Sequence, residues 1–152
     1  MDQPTTPPTL TALTTYLLSR TGKTARGRLA AELAEQGLRL WHMAVLAALA
    51  DFGPHTQRDL ADRLAIDPSD MVKVLDDLTA AGHVTRTRDP ADRRRVRVTL
   101  TPAGRSALAA LVTGAESVQA ALLAPLTPAE RATLHGLLGR LFAGRGGTPD
   151  DQ

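Results

Sequence analysis

The chain has 152 residues, of which 43% are apolar and 22% charged, and its formal net charge is only +2. This length can bury a sizeable core within one ordinary domain, and the composition argues against both disorder and a membrane span. The absence of cysteine excludes disulfides, thiolate metal sites and redox sensing through sulfur. No apolar run approaches the roughly 18 residues needed to cross a bilayer, and the first residues lack a charged and then apolar signal segment, so a cytoplasmic location is expected.

Residues 1–9 are rich in Pro and Thr and are expected to form a loose tail. From Leu10 to Gln36 the anchors Leu10, Leu13, Leu17, Leu29 and Leu33 favour a helix, with Gly22 and Gly27 as candidate breaks and Gly37 as its end. A second helix runs from Leu40 to Phe52 and stops at Gly53-Pro54. Thr56, three residues before Asp59, caps the start of a third helix that reaches about Ala65. Asp67-Pro68 starts a fourth, since Asp is a good N-cap and Pro suits the first helical position. In it Met71, Val74, Leu75 and Leu78 make one apolar stripe, which turns Ser69, Lys73, Asp76 and Ala80 outward, with Asp70, Val72 and Asp77 on the flanks.

Two short strands follow, Val84 to Arg88 and Arg95 to Leu100, the second alternating Val96, Val98 and Leu100 against Arg95, Arg97 and Thr99. Between residues 86 and 97 stand six arginines against Asp89 and Asp92, a local excess of four positive charges that leaves the other 140 residues at −2. A run of charge can be plain solvated surface. Its place after a helix, short helix and helix reads instead as the wing of a winged helix-turn-helix, with the apolar hairpin face on a helical core and the arginine tip along a duplex. Thr101-Pro102 opens a fifth helix to about Leu123. Thr127-Pro128-Ala129-Glu130 is a capping box for a sixth, with Leu134, Leu137, Leu138, Leu141 and Phe142 at helical spacing, and residues 144–152 are expected to fray. The fold class is therefore mainly α, with six helices and the hairpin between the fourth and fifth.

The segments Thr56 to Leu64, Asp67-Pro68-Ser69, Asp89-Pro90-Ala91-Asp92-Arg93-Arg94 and Leu100-Thr101-Pro102-Ala103-Gly104 resemble the MarR family of transcriptional regulators. The resemblance covers roughly residues 10 to 143. It implies a homodimer held by helices at 10–36 and 102–143, a DNA-binding lobe over 38–101, double-stranded DNA as partner, no cofactor, no catalytic residue, and often a pocket for a small aromatic or acidic effector. By position it implies that Ser69, Asp70, Val72 and Lys73 face bases or phosphates and that Thr56 and Gln57 approach the backbone. It further implies that Asp92 steadies a neighbouring arginine while Arg93 or Arg94 enters the minor groove, leaving Arg86, Arg88, Arg95 and Arg97 for phosphates. Arg94 pairing with Asp92 alone is the other reading.

Val72, Lys73 and Asp77 depart from the family's usual polar, Arg and basic residues. Direct readout of bases is thus expected to be thin, with Asp70, Asp76 and Asp77 repelling phosphates and the wing supplying most attraction. A binder of weak sequence preference and no ligand response is the alternative. Tyr16, Trp41, His42 and Phe52, with Met43 nearby, are candidates for an effector pocket or simply for the core, and Arg26, Arg28 and Arg39 are read as solvated surface or else as partners for a carboxylate. His42, His55, His83 and His135 are scattered in sequence, so no metal is expected unless folding or dimerisation gathers them as a zinc site. The outer helices carry more Ala and Leu than a small winged core can cover, which favours a second copy, although they could instead fold back on their own chain.

Overall fold

A computed structural model describes residues 5–145. Seven helices and three short strands follow in the order α1 (Pro8–Thr11), α2 (Thr14–Glu35), α3 (Leu40–Phe52), β1 (His55–Thr56), α4 (Gln57–Leu64), α5 (Pro68–Ala80), β2 (Val84–Arg88), β3 (Val96–Leu100), α6 (Pro102–Leu122) and α7 (Pro128–Gly144). The chain divides into two compact units after Val118.

Four expected boundaries move. The tail was expected to reach residue 9, but Pro8 occupies the first helical position of α1 and the amide of Leu10 already bonds the Pro7 carbonyl at 2.9 Å. The long helix breaks at Leu13, whose backbone is extended, and not at Gly22 or Gly27. A helical glycine costs only about 1 kcal/mol, which a 22-residue helix with a packed end absorbs. Arg95 belongs to the turn, so β3 begins at Val96. At the other end α7 continues through Gly144, while the rest of the expected C-terminal tail from 146, and residues 1–4, lie outside the described residues.

In the first unit the core is a single cluster. Leu33 of α2, Val45, Leu46 and Leu49 of α3, Leu60 of α4, Met71, Leu75 and Leu78 of α5, Val84, Val98 and Leu111 are all essentially without solvent contact. The strand order is β1-β3-β2, antiparallel throughout. Register sets the faces: Val84 is opposite Leu100, Arg86 opposite Val98 and Arg88 opposite Val96, so these pairs share the face that meets the helices. Thr87 and Arg97 lie opposite each other on the other face.

The Leu-Thr-x-x-Gly exit from the hairpin has a local cause. Thr101 caps α6, its hydroxyl accepting from the Gly104 amide at 3.0 Å and donating to the Gly82 carbonyl at 2.7 Å. A methyl at Gly104 would overlap the His83 carbonyl oxygen and stand 2.6 Å from a Leu100 methyl. Only glycine lets α6 leave the sheet that closely.

The second unit is the end of α6, a turn and α7. Thr127 accepts from the Glu130 amide at 3.2 Å, and the Glu130 carboxylate accepts from the Thr127 amide at 2.9 Å. These bonds hold the Glu130 carboxyl below its ordinary 4.5. No residue of α7 is buried, and Leu137, Leu138, Leu141 and Phe142 stand exposed.

Candidate nucleic-acid interface

Two helix caps prepare the surface. The Thr56 hydroxyl accepts from the Asp59 amide at 3.1 Å and so fixes the start of α4. At α5 the Asp67 carboxylate accepts both from the Ser69 amide, at 2.8 Å, and from the Ser69 hydroxyl. The Ser69 hydroxyl and then the Ser69 amide are the main causes that push the Asp67 carboxyl below its ordinary 3.8. A Ser69 hydroxyl that donates to Asp67 has only acceptor capacity left for an outside partner.

With Met71, Val74, Leu75 and Leu78 buried, the outward face of α5 carries Ser69, Val72, Lys73, Asp76 and Ala80, with Asp70 and Asp77 also exposed on its flanks, and Val72 is 41% exposed. The two acids near its end do not simply face solvent. Asp76 receives Arg86 of β2 at 2.7 Å, and Asp77 lies 3.0 Å from the Nε2 of His42 in α3. Arg86 can reach Asp76 because its register places it on the helix-facing side of the sheet, where its side chain is only 25% exposed.

The wing tip is held by its own aspartates. Asp89 accepts from the Ala91 amide at 2.9 Å and Asp92 from the Arg94 amide at 3.0 Å, two Asx turns that explain the Asp-Pro-x-Asp-Arg-Arg spacing. The Arg95 amide closes the turn on the Asp92 carbonyl at 2.9 Å, and the Arg88 guanidinium donates to the Arg93 carbonyl at 2.8 Å. The Asp92 carboxylate also stands 3.5 Å from the Arg94 guanidinium and 3.8 Å from that of Arg95. The side chain of Arg94 is nevertheless 94% exposed, and pairs so open to water hold their partners weakly. Among the described residues Arg93 and Arg97 make no ion pair.

Thr56, Gln57 and Arg58 meet Arg94, Arg95 and Val96 across an open cleft of about 630 Å³, with Asp59 and Asp92 on its walls. Backbone amides at a helix start and two guanidiniums converge there, a chemistry suited to phosphate oxygens. Arg58 was not singled out from the sequence, though its place beside Gln57 was the available signal.

The candidate effector residues are dispersed. Tyr16 is half-buried on α2, Trp41 is 49% exposed and His42 buried at the start of α3, and Phe52 is exposed at its far end. Eleven helical steps put Trp41 and Phe52 about 16 Å apart along the axis. Phe52 instead lies under the Arg63 guanidinium, 4.2 Å from the ring centre. His42 uses both ring nitrogens within the lobe: Nδ1 accepts from the Arg39 amide at 2.8 Å, so Nε2 carries the proton that faces Asp77. Among the described residues no three His, Cys, Asp or Glu gather as a metal site, and no helix is long and apolar enough to cross a membrane.

The fold and this surface define a winged helix-turn-helix protein. The MarR family model matches residues 36–95. A putative transcriptional regulatory protein for the hcr operon of Thauera aromatica is 36% identical over 105 residues, 69% of this chain and 63% of that protein, so the chain spans under two thirds of that relative. Among solved structures, a probable transcriptional regulator from Pseudomonas aeruginosa is 33% identical with a TM-score of 0.72, covering 87% of this chain and 98% of that one. Bordetella bronchiseptica BpsR, whose DNA binding is described as regulated by 6-hydroxynicotinic acid, is 32% identical with a TM-score of 0.69, covering 84% and 96%. The chain belongs to the MarR family of transcriptional regulators.

Proposed function

We propose that the protein is a homodimeric DNA-binding repressor that occupies a palindromic operator and is released by a small aromatic or acidic ligand. The observation that carries this reading is the solvent-facing row of Ser69, Val72 and Lys73 on α5 beside a wing whose Arg93 and Arg94 side chains project into solvent. α5 enters the major groove, with Asp70 at its edge, and Arg93 or Arg94 enters the minor groove. Thr56, Gln57, Arg95 and Arg97 meet the phosphate backbone, with Arg88 behind them. Asp92 orients Arg94. Arg86, held by Asp76, has the smaller share in contacting phosphates.

Helices within 10–36 and 102–143 pair two copies through exposed Leu13, Leu17, Leu18, Leu137, Leu141 and Phe142, and residues 38–101 form the DNA-binding lobe. The regulation of BpsR by a hydroxylated pyridine carboxylic acid supports an effector of that chemical kind here. Selecting bound fragments from a pool of genomic DNA in the cytoplasmic pH range, at two salt concentrations, tests the reading. The expected outcome is a shared palindrome with half-sites about one helical turn apart. A monomer without preference among fragments would refute it.

A second reading is a binder of weak sequence preference without a ligand. The hydrogen bond from Ser69 to Asp67 and the apolar Val72 favour it, since together they leave α5 few donors for base edges. Equal recovery of all fragments supports this reading over the first.

A further inference from the structure

The acidic pair at residues 76 and 77 is usually the wrong charge for a DNA-facing helix, yet each member is turned toward a partner in the lobe. Asp76 is tied to Arg86 on the wing strand and Asp77 to His42 on α3, so the end of α5 is held from both flanks. The two ties differ in kind. Arg86 reaches Asp76 on a long, flexible stem, and the Asp76 carboxylate is more than half exposed, which leaves freedom of position. His42 is 4% exposed, and its ring is locked on its other side by the amide that starts α3. A proton on Nε2 therefore points at one place, and Asp77 is the acceptor there.

We infer that Asp77 and His42 are positioning residues for the recognition helix: the clasp between them fixes how α5 sits against α3, and so the register at which Ser69, Val72 and Lys73 meet base edges. This rests on the DNA-binding reading above. Base contacts fail with small displacements, whereas phosphate attraction tolerates them, so the clasp acts on sequence preference and not on general affinity. The alternative for Asp77 is a surface charge that merely repels the duplex. The two roles give opposite signs.

Asp77→Ala and Asp77→Asn remove the same charge, but only Asn keeps an oxygen that can accept from Nε2. The Asp77 side chain is 65% exposed, so neither change opens a cavity, and unchanged far-ultraviolet circular dichroism checks the fold. Affinity is measured for the fragment selected from genomic DNA and for a scrambled duplex of equal length. Asp77→Ala is expected to lower the preference for the selected fragment about tenfold, the scale of a lost charge-assisted hydrogen bond, while binding to the scrambled duplex holds or tightens. Asp77→Asn is expected to keep the wild-type preference. Equal tightening on both duplexes by both variants overturns the clasp and leaves a surface charge. A wild-type protein that does not discriminate between the duplexes overturns instead the DNA-recognition reading on which the clasp rests.

Discussion

Replacing Arg93 and Arg94 together by Ala removes two solvent-facing guanidiniums of the wing tip while leaving its backbone bonds intact. The turn depends on the Arg94 amide bonding Asp92 and on the Arg93 carbonyl receiving Arg88, and alanine retains both backbone groups. Each phosphate neutralised on B-form DNA contributes about 0.9 to the slope of log affinity against log salt, so if all four guanidiniums of a two-protomer complex, in the groove or beside it, each offset one phosphate, their loss flattens it by about 3.6. Over a rise from about 50 to about 200 mM salt each contact accounts for about 3.5-fold in affinity, and four together for about 150-fold. Fluorescence anisotropy of a labelled duplex across a salt series measures this directly. Arg86→Ala is the control, because its guanidinium is held by Asp76 at 2.7 Å on the helix-facing side of the sheet. It is expected to leave the slope nearly unchanged. A double variant with the wild-type slope, or an Arg86→Ala slope equally flattened, would refute the assignment of the free wing arginines.

Gly104→Ala drives a methyl into the His83 carbonyl, a backbone atom that cannot rotate away, so a loss of about 3 kcal/mol is expected in urea unfolding, at the upper end of overpacking costs. A loss below about 0.5 kcal/mol would show that α6 can shift freely. Asp67→Ala removes a cap whose carboxyl is held below its ordinary 3.8; a depressed acid stabilises the fold above its unfolded value and loses that contribution as pH falls through the folded one. The melting-temperature gap to wild type should therefore be full near neutrality and narrow at pH values below 3.8, and a gap independent of pH would count against it. Replacing Leu137 and Leu141 by Glu on the exposed side of α7 is expected to turn a dimer into a monomer in equilibrium sedimentation, and an unchanged mass would move the interface elsewhere.

What could be read from the sequence follows the range of the forces involved. Thr56, Asp67 and Thr127 were legible as caps because each bonds an amide within three residues, and the stripe of Met71, Val74, Leu75 and Leu78 because burial repeats with the helical period. The arginine tip was visible as a cluster, and its Asx turns are again local. β1 escaped because two residues show no alternation, and its pairing of His55 with Val98 spans over forty residues. Gly22 and Gly27 misled because propensity is a weak force against a continuous ladder of helical bonds. The meeting of His42 with Asp77, thirty-five residues apart, leaves no trace in spacing or pattern.

Side-chain pairing also changes the electrostatics of the surface. Read as free charges, Asp70, Asp76 and Asp77 would set three acids against one Lys73 on α5, and the wing would have to overcome them. Ion pairing moves Asp76 and Arg86 out of the account together, whereas Asp77, bonded to His42 on the α3 side but 65% exposed, keeps its charge. In the proposed complex the helix then offers Lys73 against Asp70 and Asp77, and the wing offers the exposed Arg93, Arg94, Arg95 and Arg97. The recognition helix thus needs less help than its composition suggests, but the wing also has less to give, since one of its six arginines is committed inward. On the proposed reading, affinity and sequence preference are accordingly placed on separate residues. In the proposed complex the wing tip sets the salt-dependent attraction, and the groups that hold α5 in place set which bases it can meet.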